Sequence, residues 1–340
     1  MGCGACNMGC GSCDYGCAPC NDYCAPDCDV MCECEPQCCG PRLRMWGEYL
    51  YLQVTDADVA HAQQQDGLGG AGTVPFGEIG TLGQDFNPGY RVGGSIACGP
   101  CTSVGVSYTF FESDSHSSLD APVVPGGGGA VGSLVHHPGA ALTASAGPVD
   151  AQYDVDFQLG DIMWRRVAKY SPRYAMAFSA GFEYGHLEQE FSQSGIFSGG
   201  LGGEIDTDTQ IKFDGAGIKV GVDGDHTFGH GCGIYGRLTA AALTGRFKSN
   251  YSMFNESTDQ SLALANWSDD RVIGRIEYEL GASLTSMNNH WRVAAGYMFS
   301  YWTNVVTTPD FIDAVQADNY NNVGNTIGFN GLVGRVECMW

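Results

Sequence analysis

Gly331-Leu332-Val333-Gly334-Arg335-Val336-Glu337-Cys338-Met339-Trp340 decides how this chain is read. Counted back in steps of two from the last residue, Trp340, Cys338, Val336, Gly334 and Leu332 lack polar side chains, while Glu337 and Arg335 stand between them, with Met339 the exception. Alternation with period two marks a strand with one apolar and one polar face.

The same texture runs back through the chain. Trp291, Val293, Ala295, Tyr297, Phe299 and Tyr301 alternate with Arg292, Ala294, Gly296, Met298, Ser300 and Trp302. Before a tight turn at Met287-Asn288-Asn289-His290, Val272, Gly274, Ile276, Tyr278 and Leu280 oppose Arg271, Ile273, Arg275, Glu277 and Glu279. Further strands are read at about 233–248, 211–223, 173–191, 153–165, 102–112, 90–97 and 44–54. Within 153–165, Tyr153, Val155, Phe157 and Leu159 form the apolar phase and Asp154, Asp156 and Gln158 the polar one.

About ten strands result, with twelve as the upper count, and their connections alternate. Long ones are expected near 55–87, 113–150, 192–208, 250–270 and 306–323, and short ones near 98–101, 166–172, 224–231 and 287–290. Outer-membrane barrels pair short periplasmic turns with long outer loops and an even strand number. The expected fold is therefore all-β: a transmembrane antiparallel up-and-down β-barrel over 42–340, behind a cysteine-rich irregular segment, 1–41. The expected location is the outer membrane, and the partners are its lipid and the barrel assembly machinery. Leu332, Val336, Cys338 and Trp340 are expected to face lipid and carry the assembly signal.

Bulk properties agree. Charged residues make up 16% of the 340, below the ~25% of ordinary soluble domains. The net charge of −22 excludes nucleic acid as a partner, since phosphate binding needs clustered Lys and Arg. All 16 Lys and Arg lie outside the five expected long loops, so the outer mouth should be acidic. No run of ~18 apolar residues forms a spanning helix, which leaves strands free to span. Met1-Gly2-Cys3 runs into the cysteines without an apolar leader, which counts against export.

Twelve of the 16 cysteines lie between Cys3 and Cys39, and the first three pairs, Cys3/Cys6, Cys10/Cys13 and Cys17/Cys20, repeat every seven residues. Paired Cys-x-x-Cys units bind metal in a reducing compartment and form disulfides in an oxidising one. An exported chain favours disulfides, within the segment or to other envelope proteins or to itself. Cys98-Gly99-Pro100-Cys101 has a thioredoxin-like spacing, but it lies in a hairpin turn. A stapled turn or two thiols is the better reading there.

With the strands placed, the chain resembles the Legionella-type major outer membrane proteins. The residues carrying this are Trp46-Gly47-Glu48-Tyr49-Leu50-Tyr51, Tyr153-Asp154-Val155-Asp156-Phe157-Gln158-Leu159-Gly160, Ala180-Gly181-Phe182-Glu183-Tyr184, Phe213-Asp214-Gly215-Ala216-Gly217, Gly296-Tyr297-Met298-Phe299-Ser300-Tyr301-Trp302 and Gly328-Phe329-Asn330-Gly331-Leu332. They run in order from about 45 to 340. The resemblance implies passive pore activity in the outer membrane; it does not reach the cysteine-rich segment.

The expected function is passive diffusion of ions or small solutes. The alternative is a structural or adhesive envelope barrel, anchored by disulfides and without a through-channel. Polar-phase residues are the pore-lining candidates: Arg91, Asp154, Asp156, Glu183, Arg237, Arg275, Glu277, Glu279, Arg292, Arg335 and Glu337. Equally, they are the charges that fill a narrow interior, because ten strands are few beside the 16–18 of open porins. No catalysis, cofactor or metal is expected. Gly67-x-Gly69-x-x-Gly72 matches a dinucleotide fingerprint but sits in a loop, and neither His-Glu-x-x-His nor Gly-x-Ser-x-Gly occurs.

Overall fold

The computed structural model describes residues 42–340 apart from 71, 100, 172, 289 and 322. Its elements are β1 (Leu43–Thr55), β2 (Val59–Gln65), β3 (Pro75–Leu82), β4 (Phe86–Gly99), β5 (Thr102–Leu119), β6 (Ala130–Ser133), β7 (Leu142–Ser171), β8 (Tyr174–Gly199), β9 (Gly203–Gly229), β10 (Cys232–Asn255), β11 (Gln260–Thr285), β12 (Trp291–Val305), α1 (Thr308–Gln316) and β13 (Asn325–Met339).

Ten of these strands close a ring in the order β1-β4-β5-β7-β8-β9-β10-β11-β12-β13. The ring closes where β13 pairs antiparallel with β1 along 44–55. The last residue is stitched to the first strand, since Leu43 N donates to Trp340 O at 3.0 Å and Trp340 N to Leu43 O at 2.9 Å. Closure leaves no unpaired edge, which lipid would penalise heavily. These ten are the strands expected from the alternation, and the four short turns fall where expected.

Two of the five expected long loops are not loops. β8 and β9 are separated only by residues 200–202, and β10 and β11 only by 256–259. The strands run on well past the lipid-facing zone. Their outer ends look like loop in the sequence because the exposed face there is polar: Asp206, Asp208 and Gln210 on β9, Asn250 and Ser252 on β10. The other three connections carry structure of their own. Strands β2, β3 and β6 form a small sheet that joins the ring at β7, and α1 lies in the last connection. Because the strands extend, Lys212, Arg246 and Lys248 also stand at this end, so it is less uniformly acidic than the loop boundaries implied.

On β5 and β7 to β11 the polarity inverts along the strand while the phase stays constant. On β8 the outward residues Tyr174, Met176, Phe178, Ala180, Phe182 and Tyr184 are followed by His186, Glu188 and Glu190. The inward ones change from Glu183 to Leu187 and Phe191. Ten residue steps from Tyr174 to Tyr184, at ~3.4 Å each and tilted ~40°, rise roughly 26 Å, the height of an outer-membrane apolar band. Below the switch the barrel is apolar outside and charged inside; above it, the reverse.

This inversion corrects one part of the sequence reading. On β7, Tyr153, Val155, Phe157 and Leu159 are buried inside the barrel, and Asp154 and Asp156 face outward above the lipid band. The alternation was legible, but its outer half obeys the rule of a water-soluble barrel and not that of a membrane. Below the switch, Ile162 and Trp164 face out and Asp161 and Arg165 face in.

Placing a charge within the lipid band tests its position. Ile276→Arg, on the exposed face of β11 between Val272 and Leu280, is expected to cost about 2–4 kcal/mol of folding free energy. Gel mobility of heated and unheated protein, followed through denaturant, reads this out; a shift under about 0.5 kcal/mol would move the membrane elsewhere on the barrel.

Candidate functional site: a charged lumen beneath an apolar plug

Inside the lipid-facing zone the lumen holds a continuous ion-pair network. Arg275 is its hub: Nε donates to Glu183 Oε1 at 2.9 Å, Nη2 to Glu183 Oε2 at 2.5 Å and Nη1 to Glu277 Oε2 at 2.7 Å. Arg91 donates to Glu277 at 3.0 Å and to Glu48 at 3.1 Å. Arg335 donates to Glu48 at 2.7 Å and to Glu279 at 2.9 Å. Lys219 lies 2.7 Å from Glu183 and 3.1 Å from Asp161, and Arg237 lies 3.5 Å from Glu48.

The Arg91–Glu277 contact joins β4 to β11, four strands apart around the ring, so it crosses the lumen. Among the described residues six cations (Arg44, Arg91, Lys219, Arg237, Arg275, Arg335) meet six acids (Glu48, Asp161, Glu183, Glu277, Glu279, Glu337). The charges of these described residues therefore balance in number. Buried ion pairs of this kind repay their desolvation only when their hydrogen bonds are well satisfied, as these are.

Of the eleven pore-lining candidates, nine lie in the interior: Arg91, Glu183, Arg237, Arg275, Glu277, Glu279, Arg292, Arg335 and Glu337. The other two, Asp154 and Asp156, lie outside. Glu48, Asp161 and Lys219 were missed. Glu48 shares its β1 phase with Leu50, Leu52 and Val54, so a strand judged by its aromatics hid it; the phase itself was the available signal.

Above this layer the interior is packed with apolar side chains. Trp302 is fully buried, with the Arg275 guanidinium 5.9 Å from its ring centre. Phe157 lies 5.8 Å from Trp302 and 4.7 Å from Phe329, and Phe111 lies 5.8 Å from Phe329. Leu50, Leu159, Leu187, Leu243 and Ile273 fill the remaining directions.

Helix α1 covers the top, burying Phe311, Ile312 and Val315. Gln189, buried on β8, anchors its entry. It donates to Val306 O at 2.8 Å and accepts from Thr308 N at 3.1 Å and from Tyr153 Oη at 3.0 Å. Gln189→Leu should leave these groups unpaired, at a cost of about 1–3 kcal/mol. It should raise amide exchange over 306–318 selectively; unchanged exchange there would mean that α1 is held by its apolar face alone.

The connection before β7 contributes a half-buried imidazole whose Nε2 is shut off from solvent. His136 packs edge-on against Phe197 with ring centres 4.4 Å apart, and Gln316 of α1 donates to His136 O at 3.1 Å. Burial pushes its pKa down to about 4. The unfolded chain then binds more protons than the folded one between pH 6.5 and about 4. The stabilisation is complete above pH 6.5 and is lost as pH falls through that window. Protease sensitivity of the cap should therefore rise from pH 7 to pH 4.5, and His136→Phe should flatten the rise; an identical pH profile in the variant would rule this group out.

Below the ion-pair layer a vestibule of about 390 Å³ opens towards the short turns. Its walls include Arg44, Trp46, Arg165, Asp223, Arg292 and Glu337, and its floor is set by Arg91, Glu277 and Arg335. Arg165 donates to Asp223 at 3.0 Å, and Arg292 pairs with Asp225. Cys101 also lines it and is disulfide-bonded, whereas Cys98 is a free, exposed thiol, so the two do not staple their turn to each other. The candidates Cys3, Cys6, Cys10, Cys13, Cys17 and Cys20 lie outside the described residues. Leu332, Val336 and Trp340 face outward and are exposed, and Cys338 is half-buried on the same face.

A closed ring of ten antiparallel strands, with a lipid-facing apolar band around a charged lumen, defines an outer-membrane β-barrel. Residues 37–333 match the family described as Legionella pneumophila major outer membrane protein precursor, and the chain belongs to that family. Among curated proteins no sequence matches significantly.

Solved structures with a similar course include the outer membrane protease OmpT of Escherichia coli, at 10% identity over 88% of this chain and 96% of that one, with a TM-score of 0.48. The toluene transporter TbuX of Ralstonia pickettii matches at 11% over 89% and 90%, TM-score 0.35. CarO of Acinetobacter baumannii matches at 11% over 83% and 97%, TM-score 0.27. Likenesses this distant carry no inference about activity.

Proposed function

We propose that this protein is a structural barrel of the outer membrane, closed to diffusion, which holds a folded cap above the lipid and anchors to the envelope from its periplasmic end. The observation that carries this is the stacking of two seals. An ion-pair layer crossed by Arg91–Glu277 lies beneath an apolar plug centred on Trp302, Phe157 and Phe329. A diffusive pore needs a continuous water path past both. The groups available for a covalent anchor at that end are the twelve cysteines between Cys3 and Cys39 and the free, exposed thiol of Cys98 beside a short turn.

Proteoliposome swelling tests the closed lumen. Vesicles carrying the refolded protein should swell in small sugars no faster than empty ones, and fast swelling would reinstate the pore. Non-reducing gels of whole envelopes test the anchor: species larger than the monomer that collapse with reductant are expected, and monomer alone would remove that part.

A further inference from the structure

Outside the lumen, just above the lipid band, three potential metal ligands converge on the outer wall. Asp156 of β7 stands directly opposite Glu188 of β8, and His186 of β8 stands directly opposite Asp214 of β9. All four occupy the outward phase. Donor atoms of Asp156, His186 and Glu188 lie within 4.8 Å of one another.

His186 and Glu188 each have their other contacts taken up and turn one donor atom to a common point. His186 Nδ1 lies 2.8 Å from Asp214 Oδ1, and that carboxylate also accepts from Tyr184 Oη at 2.9 Å. Since a carboxylate only accepts, Nδ1 carries a proton, and Nε2 points away from Asp214. A carboxylate holding the far nitrogen of a ligating histidine is the usual outer-shell arrangement of such sites.

Glu188 Oε1 is engaged by Lys212 at 2.6 Å and by Gln210 at 3.0 Å, while Oε2 faces His186 Nε2 at 3.5 Å. Asp156 Oδ1 is shut off from solvent and has no hydrogen-bond partner. His186 Nε2 thus faces the Glu188 carboxylate, with an Asp156 oxygen within reach of both. A cation at the point where the three donor atoms converge would be held by all of them. Two ligands on one tetrahedral ion, bonded at ~2.0–2.1 Å, sit roughly 3.3–3.4 Å apart, close to the His186–Glu188 separation.

The geometry points to Asp156, His186 and Glu188 as a binding site for a zinc-class divalent cation on the outer wall of the barrel, oriented by Asp214. Three protein ligands of N and O type leave a coordination position for water. One outward step below His186, Tyr184 ends the apolar band, so the site stands where lipid headgroups begin.

The test is a footprint of individual histidines on the full-length refolded protein, because the cysteine-rich segment makes bulk zinc binding uninformative. Diethylpyrocarbonate acylation of His186 is followed by peptide mass spectrometry across a zinc titration, with exposed His116 as the internal control. Zinc should slow modification of His186 about tenfold or more and leave His116 unchanged. Glu188→Gln and Asp156→Asn should each raise the zinc concentration for half-protection by about 10–100-fold. Both replace exterior side chains, and heat-modifiable gel mobility confirms that each variant is folded. Modification of His186 that is indifferent to zinc at millimolar concentration overturns the site. So does protection that both variants retain at the wild-type concentration, since the ligands would then lie elsewhere.

Discussion

Arg275→Ala is expected to destabilise the barrel by about 3–5 kcal/mol, the cost of breaking a buried ion pair from one side. Arg275 donates to Glu183 and Glu277, both buried, and its guanidinium rests against Trp302. Removing it leaves two carboxylates with only Lys219 and Arg91 to hold them. Removing the charges together should be far milder. Arg275→Met combined with Glu183→Gln and Glu277→Gln should recover most of the loss, because no uncompensated charge then remains in the lumen. Denaturant unfolding in detergent, read by gel mobility and tryptophan fluorescence, gives both numbers. A single variant within about 1 kcal/mol of wild type would mean that water already solvates the lumen, and the closed interior would be wrong.

Trp302→Ala should cost about as much, roughly 3–5 kcal/mol, for a different reason. Trp302 is fully buried where the apolar plug meets the charged layer, packed against Phe157 and Phe329. Its indole nitrogen has no hydrogen-bond partner, so the loss is one of packing and of the cavity left behind. Trp302→Phe keeps most of the ring and should cost clearly less. The same substitution at an outward position, Trp291→Ala at the exposed start of β12, removes no core contact and should cost under half as much. Equal losses at Trp302 and Trp291 would show that the inner half of the ring is not close-packed.

The ring was legible because a spanning strand must alternate, and all ten strands announce themselves by that alternation. The inward placement of Arg335 and Glu337 and the outward placement of Leu332, Val336 and Trp340 followed directly from the last ten residues. Where the alternation was misassigned, one physical cause is at work. Period two says that two faces differ but not which face meets lipid, and that depends on height above the membrane. Asp154 and Asp156 share their phase with Ile162 and Trp164, yet the first pair meets water and the second lipid. The polar outer ends of β8 to β11 read as loops for the same reason.

The ion-pair partners were less legible. Contacts such as Arg91–Glu277 join residues 186 positions apart, and only the closed ring brings them together. The plug was hidden as well. Phe157 and Trp302 stand at opposite phases in their own strands' apolar patterns, and Phe329 in a third, so no local window shows that they meet.

Planar-bilayer recording on the refolded full-length protein tests the closed barrel most directly. In concentrated potassium chloride, with an open porin inserted under the same conditions as a control, wild-type protein should insert without producing conductance steps. Reproducible steps from the wild-type protein would show a continuous water path past Arg91–Glu277 and Trp302, and would contradict the account.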